Sequence, residues 1–140
     1  MNHDSYSDDY LRAIFARVKT IAMVGASPRP DRPSNHVMAF LQRKGFRVTP
    51  VNPQAAGQTI HGATVMAAIG DIAEAIDMVD IFRRSDQVAP VVDEAIAKHA
   101  KIVWMQLGVR DDTAAAKAEA AGLDVVMNRC PAIEMPRLRL

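Results

Sequence analysis

Thr20-Ile21-Ala22-Met23-Val24-Gly25-Ala26-Ser27-Pro28-Arg29-Pro30-Asp31-Arg32-Pro33-Ser34 is the stretch on which the fold turns. Thr20 to Val24 is a short apolar run stopped by Gly25, the pattern of a buried strand. Ser34 then opens a helical pattern to Lys44, with Val37, Phe40 and Leu41 on one face and Gly45 as its stop. A strand that empties into a loop and then a helix is the opening of a βαβ unit.

Upstream, Ser7-Asp8-Asp9 offers a hydroxyl cap and two carboxylates suited to the positive end of a helix. Leu11, Ile14, Phe15 and Val18 continue it as an apolar stripe, so residues 1–19 read as an N-terminal helix packed on the rest of the domain. Downstream, Phe46–Val51 reads as a strand closed by Asn52-Pro53. Residues 54–70 are weakly patterned, with room for a short strand near Thr64-Val65. Met78–Phe82, Ile102–Met105 and Leu123–Met127 read as further strands. Between them lie a helix starting between Ser85 and Pro90, with Val88, Val91, Val92, Ala95 and Ile96 inward, and an alanine-rich helix from Asp111-Asp112-Thr113 to Gly122. Asn128–Leu140 reads as a tail folded back on the domain.

Strands alternating with helices predict right-handed crossovers and a parallel sheet. Their nearly unbroken apolar character predicts cover on both faces. The expected fold class is α/β: a Rossmann-like, doubly wound parallel sheet of five or six strands in three α/β/α layers. The expected strand order is 3-2-1-4-5-6 with a short third strand, and residues 1–140 form one domain.

Composition bounds the function. The chain has 140 residues, 49% hydrophobic and 24% charged, with 17 Lys+Arg against 16 Asp+Glu and a formal net charge of +1. That balance argues against a protein whose task is to coat duplex nucleic acid, and 5% aromatics supply few stacking platforms for single strands. One Cys excludes an internal disulfide and fits a reducing, cytoplasmic setting. No run approaches the about 18 apolar residues of a membrane helix, and Met1-Asn2-His3-Asp4-Ser5 lacks the basic start of a signal peptide. No nucleic acid and no membrane are expected as partners; homodimerisation stays open.

In a doubly wound sheet, ligands bind beyond the carboxyl ends of the strands. The loop after the first strand suits phosphate. Gly25 lets another backbone or a ligand come close, Ser27 offers a hydroxyl, and the helix from Ser34 turns its free N–H groups toward the loop. Arg29 and Arg32 add charge, and an arginine grips phosphate bidentately. Neither the dinucleotide fingerprint nor a P-loop is present: Gly25 is the loop's one glycine, and the second strand ends Val51-Asn52-Pro53 with no acid.

Gly25-Ala26-Ser27-x-x-Pro30-x-Arg32-x-Ser34, Pro50-Val51-Asn52-Pro53, Asp80-Ile81-Phe82-Arg83-x-Ser85, Trp104-x-Gln106-x-Gly108 and Arg129-Cys130 fall in order at five strand ends. Together they resemble the small stand-alone CoA-binding proteins of bacteria and archaea, which are similar in fold to the CoA-binding domain of the succinyl-CoA synthetase α subunit. The resemblance runs from about Leu11 to the C-terminus. It implies coenzyme A, or an acyl-CoA, lying across the carboxyl edge of the sheet. On that resemblance Gly25, Ala26, Ser27 and Arg32 hold the phosphates, and Asn52 and Pro53 border the adenosine. Phe82, Arg83 and Arg84 line the adenine or 3′-phosphate side, and Gln106 to Gly108 follow the pantetheine arm. The family pattern often has an acid where this chain has Asn128.

Cys130 is the only thiol. Beside Arg129 its pKa is expected to fall, which would favour a redox role facing the CoA thiol; the alternative is a buried, inert cysteine. His3, His36, His61 and His99 show no metal-ligand spacing, so no metal is expected. His3 is expected in a frayed terminus, and His36, beside the phosphate loop, is a candidate to assist binding. No catalytic constellation is readable, and a chain ending at Leu140 leaves no room for the ligase domains of the related synthetases. The expected function is non-catalytic binding of CoA or acyl-CoA. The alternatives are thiol–disulfide exchange on CoA through Cys130, a subunit of an acyl-CoA ligase, and a module for NAD(P) or another adenine nucleotide.

Overall fold

The computed structural model describes residues 1–140. In chain order it runs α1 (Asp8–Ala16), β1 (Thr20–Val24), α2 (Pro33–Arg43), β2 (Arg47–Val51), β3 (Thr59–Ile60), β4 (Ala63–Thr64), β5 (Met78–Ile81), α3 (Val88–Ala97), β6 (Ile102–Met105), α4 (Asp112–Ala120), β7 (Asp124–Val126) and α5 (Pro131–Arg137). Five strands form one parallel sheet in the order β2-β1-β5-β6-β7. Register is continuous across it: Ala22 lies opposite Thr49 and Val79, Val79 opposite Val103, and Val103 opposite Val125.

Strand alternation divides the core into two apolar layers. Ala22, Val24, Val79, Ile81, Val103, Met105 and Val125 pack under α3 and α4. Ile21, Met23, Met78, Ile102, Trp104 and Val126 pack under α1, α2 and α5. Trp104 anchors the second layer: its ring centroid is 5.2 Å from that of Phe15, and its Nε1 donates to the Arg129 carbonyl at 2.8 Å. The result is a Rossmann-like three-layer α/β/α fold. No helix is long and apolar enough to cross a membrane.

Three expectations are corrected. The short third strand does not join the sheet. Residues 53–76 instead hold single helical turns at Pro53–Ala55 and Ile69–Asp71 and the antiparallel β3–β4 hairpin. Met66 makes a lone parallel bridge to Val51. Gly57 and Gly62 turn the chain through positive φ, and the one apolar run, Val65 to Ile69, makes only that bridge before the helical turn at Ile69–Asp71 ends it. Second, the C-terminal tail contains α5. Pro131 starts it, and Pro136 lies inside it; a proline there removes one helical hydrogen bond and masks the pattern. Third, the N-terminus is tied down. His3 is 8% exposed, with Nδ1 2.7 Å from the Tyr6 hydroxyl and Nε2 2.9 Å from Glu119 Oε1.

The same N-terminal segment covers the outer edge of β7. The Tyr10 hydroxyl donates to the Val125 carbonyl at 2.8 Å and accepts from the Val125 N–H at 3.2 Å. The Tyr6 hydroxyl accepts from the Met127 N–H at 2.8 Å. The two rings stack with centroids 5.7 Å apart. Phenol oxygens thus satisfy an edge that would otherwise offer free backbone groups to another chain. Burial raises both tyrosine pKa values, so the phenols stay protonated. Tyr10→Phe strands both Val125 groups, and the expected loss of stability by urea unfolding is about 1–3 kcal/mol; an unchanged midpoint would show that the edge does not depend on this hydroxyl.

Candidate functional site

The site is built where β1 leaves the sheet. The Gly25 N–H donates to the Val51 carbonyl at 2.8 Å, and the Phe82 N–H donates to the Val24 carbonyl at 2.8 Å. Gly25 has φ +87°, and a Cβ built on it would lie 2.0 Å from the Phe82 carbonyl oxygen. Of the two roles open to this glycine, the structure fills one: it admits the chain's own backbone.

Beyond Gly25 the loop is clamped from two sides. The Ser27 N–H donates to Ser34 Oγ at 3.1 Å, and Asn35 Nδ2 donates to the Ser27 carbonyl at 3.1 Å. Asn52 Nδ2 donates to the Ala26 carbonyl at 2.9 Å, while its Oδ1 accepts from the Gln54 N–H at 3.0 Å. The cap residue of α2 is Arg32, whose side chain makes no capping bond, and Pro33 follows at the first helical position. The positive end of α2 therefore faces the loop without an internal side-chain cap.

These loops wall a cleft of about 910 Å³ along the carboxyl edge, a size that suits a ligand. Of the thirteen residues expected in the site, Gly25, Ser27, Arg29, Arg32, Asn52, Phe82, Arg83, Arg84, Gln106 and Cys130 line it. Ala26 does not; it lies 1% exposed behind the wall. Pro53 only starts the turn that presents Gln54 and Ala55. Gly108 stands outside, its N–H donating to Asn128 Oδ1 at 2.7 Å. Asn128 so has a structural task that an amide performs and that needs no charge; its φ of +59° is one that asparagine tolerates. His36 is exposed and lies outside the lining, so its expected assistance at the loop has no contact to rest on. Gln58 and Val109 join the lining unexpectedly, and Leu107, inside the expected stretch Gln106 to Gly108, lines it as well. Leu107, at 57% exposure, is an apolar side chain left open at the mouth.

Five arginines cluster in sequence around these loops, but their surroundings differ. Arg29 pairs with Asp31 at 3.2 Å and Arg84 with Asp86 at 3.5 Å. Arg129 is turned away: its guanidinium lies 5.2 Å from the Tyr6 ring centroid, and NH1 donates to the Asn128 carbonyl at 2.8 Å. Arg32 and Arg83 line the cleft without a carboxylate partner. With Arg129 turned away, the expected lowering of the Cys130 pKa is overturned. Burial pushes the thiol up, the charges of Asp80 and Glu134 add to it, and the N–H groups of Ala132 and Ile133 offset this only in part.

Asp80 lies fully buried at the carboxyl end of β5. Its Oδ1 accepts from Gln106 Nε2 at 2.8 Å, and its Oδ2 has no partner. Burial pushes its pKa up to about 7, against a partial pull downward from Gln106. A carboxyl that titrates near 4 when unfolded and near 7 when folded binds more protons in the native state between those values. Its contribution to stability is therefore fully present at about pH 4 and is lost as pH rises through about 7. Asp80→Asn should remove this slope and gain stability on the wild type as pH rises from about 4 to about 7, with a constant difference above that; parallel stability curves would refute the buried neutral acid. For Gly25→Ala, the clash with Phe82 and the positive φ predict a loss of at least about 2 kcal/mol in denaturant unfolding; a variant as stable as the wild type would contradict the crossing geometry.

Comparison with known proteins places this architecture. Uncharacterized protein YneT of Bacillus subtilis (strain 168) is 34% identical over 120 residues, covering 86% of this chain and 87% of its own. The structure of a hypothetical protein from Pyrococcus horikoshii OT3 superposes with a TM-score of 0.91 at 38% identity, over 100% of this chain and 97% of that one. A dinucleotide forming acetyl-coenzyme A synthetase 1 of Ca. Korarchaeum cryptofilum shares the fold, with a TM-score of 0.66 and 23% identity over 76% of this chain and 25% of that chain. Residues 19–136 match the family described as CoA binding domain, and the chain belongs to that family.

Proposed function

We propose that the chain binds coenzyme A, free or acylated, along the carboxyl edge of the sheet and holds it without turning it over, in a reducing compartment such as the cytoplasm. The observation that carries this reading is the pair Arg32 and Arg83, cleft-lining cations on the loops after β1 and β5 that no carboxylate engages. CoA presents separated phosphate groups and a long uncharged arm. In this reading Arg32, with Gly25, Ser27 and the uncapped end of α2, takes the diphosphate. Arg83 takes the 3′-phosphate, with Arg84 and Phe82 beside it. Asn52 and Ala55 border the adenosine, and Gln106, Leu107 and Cys130 line the path of the arm. Membership of the CoA binding domain family supports the ligand. The loop's lack of the dinucleotide glycines counts against NAD(P).

One observation favours a second reading. Cys130 lines the same cleft, so its thiolate could attack a sulfur of CoA disulfide, forming a mixed disulfide and releasing CoA thiolate. The raised thiol pKa works against it. Release of thiol from CoA disulfide by the wild type but not by Cys130→Ser would favour exchange over simple binding.

Calorimetric titration under reducing conditions with CoA, 3′-dephospho-CoA and NAD tests the main reading. CoA should bind tightest. Arg83→Ala should abolish the preference for CoA over its dephospho form, and Arg32→Ala should weaken both by about tenfold or more. Arg29→Ala and Arg84→Ala, whose partners are Asp31 and Asp86, should change affinity far less. Absence of CoA binding, or NAD binding as tight as CoA, would sink the proposal.

A further inference from the structure

The β3–β4 hairpin turns through His61 and Gly62, at φ +46° and +82°. Two left-handed residues make the tight turn that matches strand twist, where Asn-Gly is the favoured pair. A histidine there accepts backbone strain, so its ring calls for an explanation. Its Nε2 lies 2.9 Å from Asn35 Oδ1 and 3.0 Å from the Asn35 carbonyl oxygen. Both partners are acceptors, so Nε2 carries the proton and donates to them. Asn35 is itself 9% exposed, in the first turn of α2. Gln42 Nε2 donates to the His61 carbonyl at 3.2 Å, a second tie between α2 and the turn.

We infer that His61 is a positioning residue for the anion loop, acting through Asn35 on Ser27; the inference rests on the CoA-binding reading and identifies a residue outside the cleft that sets the affinity of its phosphate end. A carboxamide is nearly symmetric in shape but not in chemistry. With its Oδ1 committed to the His61 donor, Asn35 must turn Nδ2 inward, where it holds the Ser27 carbonyl at 3.1 Å. The Ser27 N–H is held by Ser34 Oγ at 3.1 Å, and the Ser27 hydroxyl accepts from the Arg29 N–H at 3.2 Å. Without the imidazole donor the carboxamide is oriented from one side only, by the Ser27 carbonyl, and the bond that pre-shapes the loop is held less firmly.

The test uses the full chain as wild type, His61→Ala and His61→Gln. Glutamine carries a side-chain N–H at a reach close to that of Nε2. In the ligand-free protein, the Ser27 backbone amide and Asn35 side-chain amide resonances should move in H61A and return toward wild type in H61Q. In calorimetry, CoA affinity should fall about five- to tenfold in H61A and recover to within about twofold in H61Q. Unmoved Ser27 and Asn35 resonances in H61A, or CoA affinity in H61A equal to wild type, would overturn the relay. Failure of the wild type to bind CoA while the resonances move as stated would sustain the relay and overturn the binding reading instead.

Discussion

Where β1 ends, three strands converge on one glycine. The Gly25 N–H is taken by the Val51 carbonyl of β2, and its α-carbon sits beneath the Phe82 carbonyl that follows β5. No side chain fits between them. Because the backbones can close up there, the loops after β1, β2 and β5 leave the sheet side by side and form one continuous wall. The parallel sheet supplies the direction, since every strand in it ends on the same edge. The glycine supplies the proximity. Arg32, Asn52 and Arg83 come from three separate segments and line one cleft.

Charge in this wall is decided by local pairing. Asp31 and Asp86 engage Arg29 and Arg84 at the surface, where such pairs contribute little to stability, but they leave two other arginines as unengaged cations. Beneath the wall the polarity inverts. Asp80 is buried with one oxygen held by Gln106 and one without a partner, and its neighbour Cys130 is kept as a thiol by burial and by the carboxylates around it. The cleft thus carries unengaged cations on the loops after β1 and β5 and uncharged side chains, Gln106, Leu107 and Cys130, on the segments after β6 and β7. That division suits a ligand with phosphates at one end and an uncharged arm at the other.

The strands were legible in the sequence because burial on both faces makes them continuous apolar runs; Thr20–Val24 and Ile102–Met105 coincide with β1 and β6. The β3–β4 hairpin was not, since two-residue strands carry no period to detect. Pro136 hid α5. At the site, residue types at strand ends were readable because the fold class says which ends share an edge. Side-chain direction was not: Arg129 adjoins Cys130 in the chain, yet its guanidinium lies over Tyr6. Nor was the tie between His61 and Asn35, two residues separated by all of β2 and most of α2, whose contact exists only once the hairpin docks.

The most direct measurement is backbone amide NMR of the labelled protein titrated with CoA, with NAD as the reference ligand. CoA-dependent shifts should concentrate at Gly25–Ser27, Asn52–Ala55, Phe82–Arg84 and Gln106–Val109, with the opposite edge around Asp77 and Lys101 unmoved. Shifts centred away from the carboxyl edge, or the same pattern produced equally by NAD, would contradict CoA binding at this cleft.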